Sequence, residues 1–290
     1  MNLTRRYPML TSLLVTLLIV ELGLPVLLFL MRDRMIFLPS TAPSAEEGLA
    51  WVEGRARVEL VAVEREDGRR LAAYDARPLG GLDPAAPVVL FLHGNAGNIG
   101  SRARVLEDFV VGTGLRVLMV DYSGYGGNPG TPSEAAAYED AVAAFDWLVG
   151  DGVPEERIVL YGESLGAAVA LGLAERRSCG GVVAQSAFAS LSSMAWEVYP
   201  WLPLGGLLAR GAFPSARRAA RLEVPLLVVH GRRDRIVPFS QGESLHRAAL
   251  EGSAEVEFLP IDAAGHNDLL AVAGREYLES LGARLRAWVR

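Results

Sequence analysis

Lysine is absent from this chain, cysteine is almost absent and basic residues are fewer than acidic ones; the last two shortages each exclude a class of function. The 28 basic residues are all arginine and are outnumbered by 34 acidic residues, so the net charge is −6. With no sustained basic cluster, the chain is not expected to bind nucleic acid. The single cysteine, Cys179, excludes an intramolecular disulfide and a metal site built from cysteines.

One long apolar run, from residue 10 to residue 30, is foreign to a soluble fold. Its only charge is Glu21, and a run of about 20 apolar residues is long enough to cross a hydrocarbon core of roughly 30 Å. We predict that residues 1–33 form an uncleaved membrane anchor. A cleaved signal peptide is one alternative, but it would have a shorter run beside a small-residue cleavage site. A buried core helix is the other, but nothing polar marks an outer face.

The charges that flank this run predict its orientation. Arg5 and Arg6 precede it, whereas Arg32 and Arg34 follow it and are offset by Asp33. The positive-inside rule therefore favours an inside amino terminus and an exported folded domain. We expect a single-pass protein of the bacterial inner membrane.

Beyond the anchor, strand patterns alternate with helix patterns. Residues 58–64 and 70–76 predict a β-hairpin, because Asp67-Gly68 lies between two alternating runs. Buried strands are predicted at 87–92, 115–120, 158–161, 181–185, 224–229 and 256–259. Such alternation predicts a mostly parallel sheet covered by helices on both faces, with ligands at the carboxyl ends of its strands. Residues 34–57 are expected to be a linker and the entry to a domain at 58–290.

The pentapeptide Gly162-Glu163-Ser164-Leu165-Gly166 lies between a predicted strand and a predicted helix. A chain that passes from strand to helix in so few residues strains its central residue, and glycines on both sides avoid clashes. Ser164 would then project from the carboxyl edge of the sheet, as a nucleophile must. The pentapeptide also arises by chance in glycine-rich chains, so a base, an acid and an oxyanion hole must accompany it.

The predicted base is His266. A serine hydroxyl needs a neighbouring base to remove its proton, and histidine suits this role near neutral pH. His266 lies in a glycine-flanked loop after the last predicted strand. His93 and His230 end strands and are expected to shape loops, and His246 falls within a helix.

The predicted acid is Asp234, which would orient His266 and stabilise its charged form. It lies just past the strand before the one that leads to His266. Asp262 and Asp268 are alternatives closer in sequence, although loop carboxylates are usually solvated or cap helices. Nucleophile, acid and base then follow the chain order that accompanies a Gly-x-Ser-x-Gly turn in hydrolases.

An oxyanion hole needs two N–H donors aimed at the developing negative charge. We predict that the amide of Leu165, at the start of a helix, supplies one of them. The amide of Asn95, in a glycine-rich loop after a buried strand, would supply the other. The alternative is that His93-Gly94-Asn95 is an ordinary turn from strand to helix.

Six motifs stand in the order in which a known family has them. They are Phe-Leu-His-Gly-Asn-Ala-Gly-Asn (91–98), Asp-Tyr-Ser-Gly-Tyr-Gly (121–126), Thr-Pro-Ser-Glu (131–134), Gly-Glu-Ser-Leu-Gly-Ala-Ala (162–168), His-Gly-Arg-Arg-Asp-Arg-Ile-Val-Pro (230–238) and Ala-Gly-His-Asn (264–267). From about residue 34 onward the chain thus resembles the α/β-hydrolases of the Bem46 and ABHD13/ABHD17 type. The resemblance implies an α/β-hydrolase fold and a membrane-tethered serine hydrolase with the triad Ser164, Asp234 and His266. The chain departs from the family at Ser123, where arginine is usual, and at Gln185, where glutamate is frequent.

The sequence therefore predicts a membrane-anchored serine hydrolase that cleaves a small-molecule or lipid-like carboxylic ester through an acyl-enzyme. The mechanism requires no cofactor and no metal. A thioesterase acting on acyl-proteins or acyl-CoA, or a serine peptidase, would use the same triad. A non-catalytic, membrane-bound interaction module is the alternative of another class.

The insertion at about 187–223 interrupts the alternation between two predicted strands. It is rich in aromatic and aliphatic residues, several of them next to prolines. We expect it to cover the carboxyl edge of the sheet, towards which Ser164 projects. We predict a short helical cap in which Trp201 and Leu204 line the acyl-binding cleft. The alternative is a cap that only packs on the sheet.

Overall fold

The computed structural model describes residues 33–289 except 82, 199, 201–208 and 253–254, and before them only residues 9, 12, 13, 16, 23, 27, 30 and 31. Most of the predicted anchor, residues 1–33, therefore lies outside the described residues. Within the described part, no helix is both long enough and apolar enough to cross a membrane.

Strands and helices alternate along the described chain. The strands are β1 (Leu38–Pro39), β2 (Ala56–Glu64), β3 (Arg70–Pro78), β4 (Val88–Leu92), β5 (Ala96–Gly97), β6 (Arg116–Val120), β7 (Ile158–Glu163), β8 (Gly181–Gln185), β9 (Leu226–Gly231) and β10 (Val256–Ile261). The helices are α1 (Ala45–Leu49), α2 (Ala103–Thr113), α3 (Glu134–Gly150), α4 (Leu165–Ala174), α5 (Leu191–Val198), α6 (Ser215–Ala219), α7 (Phe239–Ala249) and α8 (Leu269–Trp288).

Eight of these strands form one sheet in the order β10-β9-β8-β7-β4-β6-β3-β2. The strands from β10 to β6 are parallel, and only the β2–β3 hairpin and its junction with β6 are antiparallel. The central strands β4, β6 and β8 are buried along their whole length. This burial on both faces explains why their sequences are nearly continuous apolar runs without alternation.

Helices cover both faces of the sheet, as the sequence predicted. Leu148 of α3 and Leu171 of α4 belong to the apolar core on one face, and Phe109 of α2 and Leu281 of α8 belong to the core on the other. Helix α4 is buried at nine of its positions, because its alanines and glycines allow close approach to the sheet. Because β4, β7, β9 and β10 run parallel, their carboxyl ends lie at one edge of the sheet.

The segment at 34–57 differs from the expected surface linker. Phe37 is 3% exposed and Ala45 is 4% exposed, so both belong to the core. Strand β1 pairs in parallel with β5, with Leu38 opposite Ala96. The segment is apolar at these positions because it packs into the domain rather than running over it.

The insertion at 187–223 contains helices α5 and α6 in its described part. Phe213, between them, is fully buried and contacts Phe188 edge-on, with ring centroids 6.2 Å apart. Trp201 and Leu204 lie outside the described residues.

Candidate active site

Ser164 lies between β7 and α4 in an unusual backbone conformation. Its φ of 54° and ψ of −112° are strained for a residue with a Cβ atom, at a cost of roughly 1–3 kcal/mol. Two backbone hydrogen bonds hold it: its N–H donates to the carbonyl of Gln185 at 2.8 Å, and its carbonyl accepts from the N–H of Ala167 at 3.1 Å. The sharp turn that the sequence predicted is therefore present.

The glycines that flank this turn are required by close backbone contacts. A Cβ atom at Gly162 would lie 2.4 Å from the Cα atom of Ala167, and one at Gly166 would lie 1.9 Å from the carbonyl oxygen of Leu92. Because the opposing atoms are backbone, no side chain can move aside. Glycine at both positions thus lets α4 begin directly against β4 and lets the serine stand at the strand end.

The loop after β10 brings His266 to the serine. Its Nε2 atom lies 3.1 Å from Oγ of Ser164, and its Nδ1 atom lies 2.7 Å from Oδ2 of Asp234. A carboxylate can only accept, so Nδ1 carries the proton and Nε2 accepts from the serine hydroxyl. Asp268 accepts from the N–H of Gly265 at 2.7 Å and thereby fixes the loop next to His266.

Asp234 is buried and held as a carboxylate. Its Oδ1 atom accepts from the N–H groups of Ile236 at 2.9 Å and Val237 at 2.8 Å. The imidazole of His230 lies 3.4 Å from Oδ2. Burial by itself would raise the pKa of Asp234, but hydrogen bonds from His230, His266 and Val237 outweigh it and hold the pKa well below its ordinary value. The group is therefore ionised at neutral pH.

The other candidate acid and base residues lie away from the serine. Asp262 has an 87% exposed side chain and pairs with Arg232 at 2.8 Å. His93 is buried, with Nε2 3.0 Å from Oδ1 of Asp121, and so shapes the loop after β4 as expected. His246 is half-buried and stacks on an aromatic ring of β10.

The two predicted oxyanion donors both border the serine. The N–H of Leu165 is the first of helix α4 and has no acceptor within its own helix. In the described part of the chain, Asn95 uses its carbonyl and its side chain in hydrogen bonds, but not its N–H. A Cβ atom on the preceding Gly94 would lie 3.7 Å from Cβ of Ser164, so this loop runs beside the nucleophile.

A cavity of about 550 Å³ opens at this edge of the sheet, within the usual range of small-molecule sites. Ser164, His266, Asn95 and Leu165 all line it. Most of the remaining lining is apolar: Met35, Ile36, Leu38, Phe188, Leu191, Met194, Ala195, Val198, Ala209, Ile236 and Val237. An ester carbonyl at Ser164 would thus have apolar space beside it.

The insertion contributes to the cavity, although the two residues that the sequence singled out there are not described. Leu191, Met194 and Val198 line it from α5, and Ala209 lines it beyond the undescribed stretch 201–208. Residues before and after that stretch therefore border the cavity. The roles of Trp201 and Leu204 stay predictions.

Neither of the two departures from the family, Ser123 and Gln185, lines the cavity. Ser123 is buried, and its hydroxyl donates to Oδ1 of Asp140 at 2.9 Å. Arg65, just after β2, donates to both of these side chains and so brings a guanidinium to this point from another part of the chain. Gln185 accepts a hydrogen bond from the hydroxyl of Tyr161.

Two features near the site were not predicted. One is His230, which was expected only to shape a loop but lies against the acid. The other is the segment after residue 33, in which Met35, Ile36 and Leu38 line the cavity. The apolar run from residue 35 to residue 38 was the only sequence signal for it, since nothing local specifies a partner more than fifty residues away.

Comparison with known proteins gives consistent results. Residues 87–205 match the model of a family described by the α/β-hydrolase fold. An uncharacterized protein of Mycobacterium tuberculosis, Rv2307c, is 40% identical over 91% of this chain and 90% of its own length. The α/β-hydrolase domain-containing protein aho-3 of Caenorhabditis elegans is 33% identical over 87% of this chain and 74% of its own length.

Solved structures of low sequence identity share the architecture. An esterase from Pyrococcus furiosus superposes with a TM-score of 0.62 at 23% identity, over 81% of this chain and 92% of that one. At this identity the likeness concerns the fold alone.

Proposed function

The chain belongs to the α/β-hydrolase family, in its Bem46 and ABHD branch, and we propose that it is a serine hydrolase that cleaves carboxylic esters through an acyl-enzyme. The observation that carries the proposal is the continuous hydrogen-bonded series Ser164 Oγ, His266 and Asp234, with distances of 3.1 and 2.7 Å, at the wall of a largely apolar cavity. Such a series activates a serine hydroxyl that is otherwise a poor nucleophile.

In the first half of the reaction, Oγ of Ser164 attacks the ester carbonyl carbon while Nε2 of His266 takes the hydroxyl proton. The negative charge on the carbonyl oxygen is stabilised by the N–H groups of Leu165 and Asn95. Collapse of this intermediate breaks the bond to the alkoxide, which leaves with the proton from His266. Asp234 holds Nδ1 of His266 and stabilises its charged form throughout.

In the second half, water replaces the alcohol. His266 removes a proton from the water, whose oxygen attacks the acyl carbon on Ser164. The bond to Oγ then breaks, the acid is released and Ser164 recovers its proton. No metal or cofactor takes part. Reaction of the purified protein with a fluorophosphonate, followed by p-nitrophenyl esters and matched thioesters, tests the activity and the preferred leaving group.

The apolar lining of the cavity favours a substrate whose acyl group is a chain of medium length, because this chain would lie against the lining. Each methylene removed from water there stabilises the bound state by about 0.8 kcal/mol, or roughly fourfold in kcat/KM. We therefore expect kcat/KM to rise from acetyl to hexanoyl esters. Met194→Ala should lower the value several-fold for hexanoyl and octanoyl esters and spare the acetyl ester, because Met194 lines the cavity from α5.

Trp196→Ala is the matched control for Met194→Ala. Trp196 lies on the same helix but is 54% exposed and does not line the cavity, so its loss should leave the chain-length profile unchanged. A wild-type enzyme indifferent to chain length, or equal effects of the two variants, would contradict the assignment of the cavity to the acyl chain. Trp201→Ala and Leu204→Ala are expected to behave as Met194→Ala does.

We also propose that residues 1–33 anchor the protein in the membrane as a single span and that the catalytic domain faces the exported side. The apolar run 10–30 and the arginines before it support this assignment. The domain would then comprise the rest of the chain, and its first strand of the main sheet begins at Ala56.

We expect the full chain to fractionate with membranes and to resist extraction with alkaline carbonate. Removal of residues 1–32 should give a soluble enzyme that still hydrolyses short esters. This cut keeps Asp33, whose carbonyl accepts from the N–H of Phe37 at 2.9 Å. Fractionation in the soluble pool for the full chain, or loss of the folded domain on truncation, would show that the run is not an anchor.

A further inference from the structure

We propose that residues 34–44, here called the strap, position the oxyanion amide of Asn95 and thereby make the segment next to the anchor part of the catalytic apparatus. The inference rests on the proposed function, since it concerns the same site. The backbone N–H of Asn95 is the catalytic group. The side chain of Asn95 and the strap are positioning elements.

The strap holds Asn95 through two direct hydrogen bonds. The side-chain amide of Asn95 donates to the carbonyl of Ile36 at 2.8 Å, and the carbonyl of Asn95 accepts from the N–H of Leu38 at 3.0 Å. The same carbonyl accepts from the hydroxyl of Tyr125 at 2.7 Å. The side chain and the carbonyl of Asn95 are thus both engaged in hydrogen bonds, with the strap and with Tyr125.

The loop beyond Asn95 is held by the strap as well. Strand β1 pairs with β5, and the N–H of Ser40 donates to the carbonyl of Gly97 at 3.1 Å. The side-chain amide of Asn98 donates to the carbonyls of Ser40 at 3.0 Å and Pro43 at 2.8 Å. Phe37 is buried in the core and fixes the strap to the domain.

These contacts matter because the residue before Asn95 is glycine. The N–H of Asn95 belongs to the peptide that joins it to Gly94, and a glycine permits that peptide to rotate over a wide range. Gly94 and Asn95 line the cavity beside Ser164. With the carbonyl and side chain of Asn95 engaged on the strap side, its N–H is the polar backbone group left to face the cavity.

Preorganisation of such a donor is a large contribution to catalysis, since loss of one donor lowers kcat by about 10²–10³-fold. Asn95→Ala keeps the N–H and removes only the bond to Ile36. We expect it to lower kcat for an acetyl ester at least roughly tenfold with KM changed less than about twofold, because only the transition state carries the oxyanion. The affinity for a trifluoromethyl ketone, which forms a tetrahedral adduct on Ser164, should fall by the same factor as kcat.

Tyr125→Phe provides a second, conservative variant that removes the other side-chain hydrogen bond to Asn95. It should produce the same pattern with a smaller factor. Asn128→Ala is the control: its side chain also binds backbone groups, the N–H of Ala72 in β3 at 2.9 Å and the carbonyl of Asp121 after β6 at 2.9 Å, but not Asn95. It should lower the melting temperature while leaving kcat and the ketone affinity near those of the wild type.

The outcomes separate the inference from the proposed function. If the wild type is labelled at Ser164 but Asn95→Ala and Tyr125→Phe change neither kcat nor ketone affinity, only the role of the strap is overturned. Equal losses in Asn128→Ala also overturn it, because they would reflect general loosening. A wild-type protein that is not labelled at Ser164 overturns the proposed function and the inference with it.

Discussion

Replacement of Ser164 by alanine should abolish labelling by a fluorophosphonate and lower kcat for ester hydrolysis at least ~10⁴-fold, as loss of a triad nucleophile does. The reason is geometric. Among the serines of the described chain, only Ser164 has its hydroxyl 3.1 Å from an imidazole nitrogen, and a carboxylate orients that imidazole. The measurement is in-gel fluorescence of the purified variant together with p-nitrophenyl ester turnover.

Two other serines provide matched controls for this substitution. Ser186 directly follows β8 with a positive φ of 50°, as Ser164 directly follows β7, but it is buried and its hydroxyl has no hydrogen-bond partner among the described residues. Ser123 is buried and donates to Asp140. Neither Ser186→Ala nor Ser123→Ala should reduce labelling. Labelling that survives Ser164→Ala would exclude Ser164 as the nucleophile, and an unlabelled wild type would favour a non-catalytic module.

Replacement of His266 by alanine should lower kcat at least ~10³-fold, because in the described part of the chain it is the histidine within hydrogen-bond distance of the Ser164 hydroxyl. Within the described chain, His93 and His230 are buried in other contacts, at Asp121 and at the carbonyl of Val237 respectively. Neither can replace His266 without moving its strand. Unchanged melting temperature, measured by thermal denaturation, would show that the loss concerns chemistry rather than folding.

Asp234→Asn should cost somewhat less than His266→Ala, and Asp262→Asn should cost little. The asparagine side chain is neutral and so no longer stabilises the charged form of His266, whereas the exposed Asp262 contacts Arg232 and not the imidazole. Steady-state kinetics of the two variants on one ester separate the candidates. If Asp262→Asn is the more damaging, the assignment of the acid is wrong.

Much of the fold could be read from local patterns. Continuous apolar runs marked the buried strands, and the alternation of strands and helices predicted a parallel sheet with helices on both faces, which is confirmed. The turn at Ser164 was also readable, since Gly162 and Gly166 are dictated by contacts within a few residues of it and with the adjacent strand. Steric requirements and burial can be read from the sequence where they depend on the residues of one short segment.

Specific contacts between residues far apart in the sequence could not be predicted from local patterns. The small residues and prolines of the segment at 34–57 predict a linker, yet Phe37 is buried and Leu38 pairs with Ala96. A two-residue strand has no periodicity of its own, and its partner lies 58 positions away in the sequence. The strap could therefore not be recognised before the chain was folded.

The sequence by itself determined the parts of the site that lie within one short stretch: a strained serine between two glycines, and the order of serine, aspartate and histidine along the chain. The tertiary structure decided which carboxylate meets His266, because the adjacency of β9 and β10 places Asp234 at 2.7 Å while Asp262, closer in sequence, points to solvent and Arg232. It also decided what holds Asn95, since those hydrogen bonds come from Ile36, Leu38 and Tyr125. Spacing along a chain fixes local geometry, but the distance between residues on different strands is set by how the sheet and its loops pack.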